Sequence, residues 1–432
     1  MPTYRHPGTV ITDHRFRVPL DHADPAGERI EVYAREVVAA GRERESLPWL
    51  LFLQGGPGGR SPRPVGRDGW LDRALDDYRV LLLDQRGTGR STPADRHTLP
   101  LRGDAPAQAG YLAHFRADSI VRDCELIRRE LLGEAGRWSL LGQSYGGFCT
   151  LTYLSYAPEG VREAFVTGGL PGLRSTPEAV YRAAYPRVQR KVEGHYARYP
   201  EDADTVRAVV RHLREQDVRL PGGGRLTAEA FQALGIMLGT GSGSHTLHYL
   251  LEDSARSGAS GFSDHFLAQV ESHLSFAARP LYAVLHESIY GQRSVSPHGT
   301  GWAAQSVRAE FPQFDADRAD DAPVLLTGEM IYPWMFATDP ALAPLAEVAD
   351  LLARREDWPD LYDPGRLARN DVPVAAAVYH DDMYVDTDDS LATARSVRGL
   401  RTWVTNEYEH DGLRVSEGHV LDRLIRMVRG EL

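Results

Sequence analysis

Residues 9–40 alternate polar and apolar positions around a turn at 21–27, Asp-His-Ala-Asp-Pro-Ala-Gly. The period of two, clearest over 30–37, predicts a hairpin of antiparallel strands at a sheet edge. Residues 49–53 and 80–83 are short continuous apolar runs, as expected of strands buried on both faces. Further strands are predicted at 138–141 and 163–169. Between them, 119–132 sets Ile120, Val121, Cys124, Ile127 and Leu131 along one helical stripe, and 148–157 is an amphipathic run. Short strands alternating with helices imply a mostly parallel α/β sheet. From about residue 173 the pattern turns helical, with candidates at 180–199, 203–216, 228–238, 265–278 and 341–355. Strand character returns at 372–379 and 402–405, and 420–429 closes the chain as a helix. The predicted organisation is an α/β core in two pieces, 1–172 and 367–432. A helical cap, 173–366, is inserted over the strand ends.

The loops that follow the predicted strands carry the chemistry. After 138–141 comes Gly142-Gln143-Ser144-Tyr145-Gly146-Gly147. A G-x-S-x-G between a strand and a helix is the pattern of a nucleophile elbow, which thrusts the serine out at the carboxyl edge of the sheet. A serine hydroxyl needs a base, and the base needs an acid to hold its tautomer. In such sheets the order along the chain is Ser, acid, His. The strand at 372–379 is followed by Asp381, Asp382, Asp386, Asp388 and Asp389. Asp382 is the candidate acid and Asp381 its rival; the later acids suit the start of a helix at 391–397. The last strand is followed by His410, the candidate base. His380 precedes the acid, and His419 falls at the final helix. The oxyanion of a tetrahedral intermediate needs two backbone N–H donors. Tyr145 supplies one by position. The other comes from Gly55-Gly56-Pro57-Gly58-Gly59, with Gly56 preferred and Gly55 as the alternative.

Composition narrows the reading. Hydrophobic residues make up 42% and charged residues 25%, an ordinary globular balance. The net charge of −11, with acids interleaved among the arginines, argues against a nucleic-acid surface. No apolar stretch is long enough for a membrane span, and the polar first residues do not read as a signal peptide. Two cysteines, Cys124 and Cys149, cannot form a disulfide framework. Both are expected to be reduced and buried, in a cytoplasmic protein. No phosphate-binding loop, metal cluster or cofactor fingerprint is visible, so none is expected.

With these motifs placed, the chain resembles the proline iminopeptidases of the α/β-hydrolase superfamily. The resemblance rests on Gly55–Gly59, on Asp84-Gln85-Arg86-Gly87-Thr88-Gly89-Arg90-Ser91 and on the elbow. Gly328-Glu329-Met330-Ile331-Tyr332-Pro333-Trp334 and Glu409-His410-Asp411-Gly412-Leu413-Arg414 resemble the branch with the larger cap. Gln54 departs from the His that many members carry before the glycines. The resemblance implies an α/β-hydrolase fold and release of N-terminal proline from peptides through an acyl-enzyme. It implies acids from the cap that recognise the prolyl ammonium, at positions matching Glu287 and Glu329. Tyr282, Tyr290, Trp302, Tyr332 and Trp334 are candidates to wall the ring, and Arg86 is expected to be a structural ion-pair residue. The expected partner is a peptide with N-terminal proline. A broader aminopeptidase, amidase or esterase with the same triad is the alternative.

Overall fold

The computed structural model describes residues 2–254, 261–318 and 322–432. Nine strands form one sheet: β1 (Thr3–His6), β2 (Thr9–Pro19), β3 (Arg29–Ala39), β4 (Trp49–Leu53), β5 (Arg79–Asp84), β6 (Trp138–Gln143), β7 (Val161–Thr167), β8 (Val374–Tyr379) and β9 (Leu400–Thr405). Their order is β1-β2-β3-β5-β4-β6-β7-β8-β9. The first three strands and the β3–β5 pair are antiparallel, so the hairpin expected at 9–40 is the β2–β3 pair. From β5 to β9 every pairing is parallel.

The parallel strands are buried on both faces. On one side they pack against helices Ala117–Leu132 and Tyr145–Tyr156, through Ile120, Cys124, Phe148 and Leu151. On the other they meet Gly69–Asp77 and His419–Arg429, through Trp70, Leu75, Leu421 and Leu424. This is the mostly parallel α/β sheet that the alternation predicts, in the α/β-hydrolase architecture that the resemblance implies. Cys124 and Cys149 are both free and fully buried, and burial pushes both thiols far above their ordinary range. They serve as packing residues rather than nucleophiles.

Between β7 and β8 the chain is helical. Thr176 accepts a hydrogen bond from the Ala179 N–H and caps the long helix Pro177–Arg198. Pro200–Glu215 follows directly. The helix expected at 228–238 divides into an α-helical turn, Ala228–Gln232, and a 3₁₀ stretch, Ala233–Gly239. The helix expected at 265–278 ends at Leu274, because the Phe276 N–H donates to Asp339 rather than continuing the ladder. These segments share one apolar cluster, built around Tyr185, Val188, Phe231, Phe266 and Leu326. Leu99, Leu112 and Phe115, from the stretch before helix Ala117–Leu132, join the same cluster. No described helix is long and apolar enough to cross a membrane.

Candidate active site

Ser144 sits between β6 and helix Tyr145–Tyr156 with φ 56° and ψ −125°. A left-handed non-glycine residue at such a turn stores strain of about 1–3 kcal/mol. The surroundings hold it there. Its N–H donates to the Thr167 carbonyl at the end of β7, and its carbonyl accepts from the Gly147 N–H at 2.7 Å. Gly146 is obligatory: a Cβ there would lie 1.9 Å from the Leu53 carbonyl oxygen. The elbow glycine therefore lets the helix start press against the end of β4.

The end of β4 brings the glycine loop to the same place. A Cβ on Gly55 would lie 2.9 Å from the Ser144 Cβ and 2.9 Å from the Gln143 carbonyl. Only a bare backbone fits beside the serine. Tyr145 opens its helix, so its N–H has no intrahelical acceptor. Gln54, the departure from the usual His, gives its backbone carbonyl to Gln85 Nε2 at 3.1 Å and lines the same cavity.

Asp382 and His410 come from the loops after β8 and β9. His410 Nδ1 lies 2.7 Å from Asp382 Oδ2, with both side chains buried. The other carboxylate oxygen accepts from the backbone N–H groups of Tyr384 at 2.9 Å and Val385 at 3.1 Å. Asp382 is thus fixed by its own loop before it orients the imidazole. Asp381 points away, exposed and paired with His380. Burial alone would push His410 toward its neutral form. The Asp382 charge and hydrogen bond outweigh it, holding the imidazole above its ordinary value. The Tyr384 ring stands edge-on to His410 at 4.7 Å, and the His410 N–H donates to the Gly239 carbonyl.

Ser144, His410, Gly55, Gly56 and Glu329 line one cavity of about 440 Å³. That is in the usual range of small-ligand sites, about 300–1,000 Å³. Glu329 accepts the Tyr282 hydroxyl. Burial and the Glu329 charge drive that hydroxyl well above the ordinary tyrosine range, so it remains a donor. Behind Glu329 lies a second, mostly apolar space whose lining includes Ile236, Phe276, Tyr282, Met330 and Trp334.

A family model described as the alpha/beta hydrolase fold matches residues 48–214. A proline iminopeptidase of Aeromonas sobria is 48% identical over 417 residues, covering 96% of this chain and 96% of that protein. The chain belongs to the proline iminopeptidase family. Another proline iminopeptidase, from Aspergillus aculeatus, is 36% identical over 98% of this chain and 94% of its own. A probable proline iminopeptidase of Streptomyces coelicolor aligns over 35% of this chain and 42% of its own, at 34% identity.

Not every residue expected of a proline iminopeptidase site reaches the cavity. Glu287 does not. Its two oxygens accept the N–H groups of Ala303 and Ala304, at 3.0 and 2.9 Å, and cap the turn Ala303–Arg308. It faces a separate small space with Thr300, Trp302 and Leu352. Burial outweighs the two hydrogen bonds and raises this carboxyl to about 7. The expectation that Glu287 meets a substrate amine is corrected: it does not line the Ser144 cavity, and each of its oxygens holds a backbone N–H at a helix start. Trp302 donates to Asp350 at 3.1 Å, Tyr332 is buried against Tyr185, and Tyr290 packs on Phe148, so these three aromatics are structural. Arg86 makes a fully buried bidentate pair with Asp123, as expected. Tyr282, expected at the ring, and Arg414, the last residue of the Glu409–Arg414 motif, line the cavity together with Tyr384, which belongs to no motif singled out in the sequence. Only the pairing of the Glu329 and Tyr282 segments in space shows that the Tyr282 hydroxyl meets Glu329.

Proposed function

We propose that this protein is a serine exopeptidase releasing N-terminal proline from peptides through an acyl-enzyme on Ser144. The observation that carries this reading is that Ser144, His410 and Glu329 line one cavity. It is supported by nearly full-length similarity to proline iminopeptidases.

Ser144 Oγ attacks the prolyl carbonyl carbon while His410 Nε2 takes its proton. Asp382, on Nδ1, holds the tautomer that leaves Nε2 free to accept and stabilises the imidazolium. The oxyanion is met by the Tyr145 N–H and by a glycine N–H, Gly56 or the adjoining Gly55. The C–N bond breaks as His410 returns the proton to the leaving amine. Water then attacks the ester by the same route and frees proline. Glu329 accepts the secondary ammonium, which requires a carboxylate partner once it leaves water. The ring carbons next to that nitrogen face Ile236 and Tyr282, which line both this cavity and the apolar space behind Glu329. The segments within 173–366 act as a cap that supplies Tyr282 from a helix and Glu329 from a non-helical stretch. Two free thiols held in the core fit a reducing compartment such as the cytoplasm.

The test is a panel of Pro-, Ala- and Leu-arylamides beside a short-chain ester. The expected order places the proline arylamide first by at least tenfold in kcat/KM. Equal turnover of all three arylamides indicates a broader aminopeptidase. Ester turnover with no arylamide turnover contradicts the reading.

A further inference from the structure

The cavity that holds Ser144 has charge beyond what the reaction itself uses. Glu329 contributes one carboxylate, and Arg279 and Arg414 each bring a guanidinium. Arg279 belongs with Glu329: its guanidinium lies 4.8 Å from the ring centroid of Tyr282, which donates to that carboxylate. Arg414 belongs with His410. It lies in the short turn Gly412–Val415 that follows the histidine loop. Its charge reaches His410 and opposes the protonation that Asp382 favours. The Arg414 side chain is exposed, and among the described residues no carboxylate pairs with it.

The chemistry orients a peptide between these charges. Glu329 takes the amine before the scissile bond. His410 must protonate the leaving amine after it, so the next residue of the substrate lies beside His410. Arg414, rooted four positions on, reaches the carboxyl end of that residue or of the one after it, each residue spanning about 3.3–3.6 Å when extended. A guanidinium presents a planar fork that matches a carboxylate bidentately. The only carboxylate every peptide carries is its C-terminus.

We propose that Arg414 receives the C-terminal carboxylate of short substrates, making the enzyme selective for proline-initiated di- and tripeptides over longer or C-terminally blocked ones. The inference rests on the assignment of Ser144, His410 and Glu329 given above. A zwitterionic dipeptide then lies with its ammonium on Glu329 and its carboxylate on Arg414. Arylamides and peptide amides lack the second contact.

The experiment measures kcat/KM for Pro-Ala and Pro-Ala amide, and for Pro-Ala-Ala and its amide, in wild type, Arg414→Gln and Arg414→Lys. Wild type is expected to favour at least one free acid over its amide by about tenfold or more at low salt, as a charge-assisted pair allows. That ratio should shrink as salt screens the pair. Arg414→Gln should bring the acid-to-amide ratio close to one, mainly through KM, and Arg414→Lys should keep part of it. A wild-type ratio near one for both peptide lengths, or a ratio unchanged in Arg414→Gln, overturns the proposal. Should Arg414→Gln not fold, the wild-type ratio and Arg414→Lys decide it. Proline arylamide turnover by wild type separates the two levels. If the arylamide is cleaved and the acid-to-amide ratio is one, only the role of Arg414 falls. If the arylamide is not cleaved, the exopeptidase assignment falls and this one with it.

Discussion

His410 Nδ1 and Asp382 Oδ2 are 2.7 Å apart in a buried pair, and Asp382 is itself held by two backbone N–H groups. The carboxylate therefore has a fixed position and cannot follow the imidazole if the ring moves. Asp382→Asn should leave the fold intact and lower kcat by about 10³–10⁴-fold, because the amide no longer enforces the reactive tautomer. It should also move the acid limb of the pH profile. His410 acts as a base only when neutral, and Asp382 raises its affinity for a proton. Removing the charge should shift the rise of kcat/KM to lower pH. A kcat/KM profile of the two proteins checks both effects.

The strain at Ser144 predicts a separation of stability from activity. At φ 56° a glycine is at ease and an alanine is not. Ser144→Gly should be more stable than Ser144→Ala by about 1 kcal/mol, while both lose turnover. Denaturant unfolding of the two variants reads the difference directly.

Gly146→Ala should be far more damaging than its size suggests. The new methyl would meet the Leu53 carbonyl at 1.9 Å, and that obstacle is strand backbone rather than the end of a flexible side chain. The expected cost is about 3 kcal/mol or more, seen as a lower melting temperature together with loss of activity.

Glu287 offers a control with the opposite signature. Its carboxyl is raised to about 7 in the folded state, against about 4.3 in an unfolded chain. The folded protein therefore holds this proton more tightly. The stabilisation is full below the unfolded value and is lost as pH rises through about 7. Glu287→Gln should flatten that part of the stability profile. It should leave the ratio of arylamide to ester turnover at the wild-type value, since the side chain caps Ala303 and Ala304 rather than a substrate.

Much of the core chemistry is legible in the sequence because it obeys strand order. Ser144, the acid loop and His410 each follow a short apolar run, and a parallel sheet gathers such loops at one edge. The choice between Asp382 and Asp381 is not legible. Adjacent residues on a turn point in different directions, and only the hydrogen bonds from Tyr384 and Val385 show which one faces inward. Glu287 and Glu329 look equivalent as acids beside aromatics. They separate because one is consumed by a helix start 16 positions away, while the other meets Tyr282 across 47 positions. Helical periodicity places residues on faces but does not say which helix ends meet. For the same reason, Leu99 and Phe115 reveal their place among the cap helices only in three dimensions.

Tyr282→Phe tests the support of Glu329. Without the hydroxyl the carboxylate loses the side-chain donor that Tyr282 gives it. A drop of about tenfold in kcat/KM for proline arylamide is expected, carried by KM, as for loss of one hydrogen bond to a charged group. Ester hydrolysis should change little.

The central claim is that one cavity joins the serine machinery to a carboxylate for the prolyl ammonium. It is tested most directly by Glu329→Gln, assayed on a proline arylamide and on a short-chain ester under identical conditions. The account predicts a fall of about 10²-fold or more in kcat/KM for the arylamide, with ester turnover within a few fold of wild type. Equal loss on both substrates, or no loss on the arylamide, would contradict it.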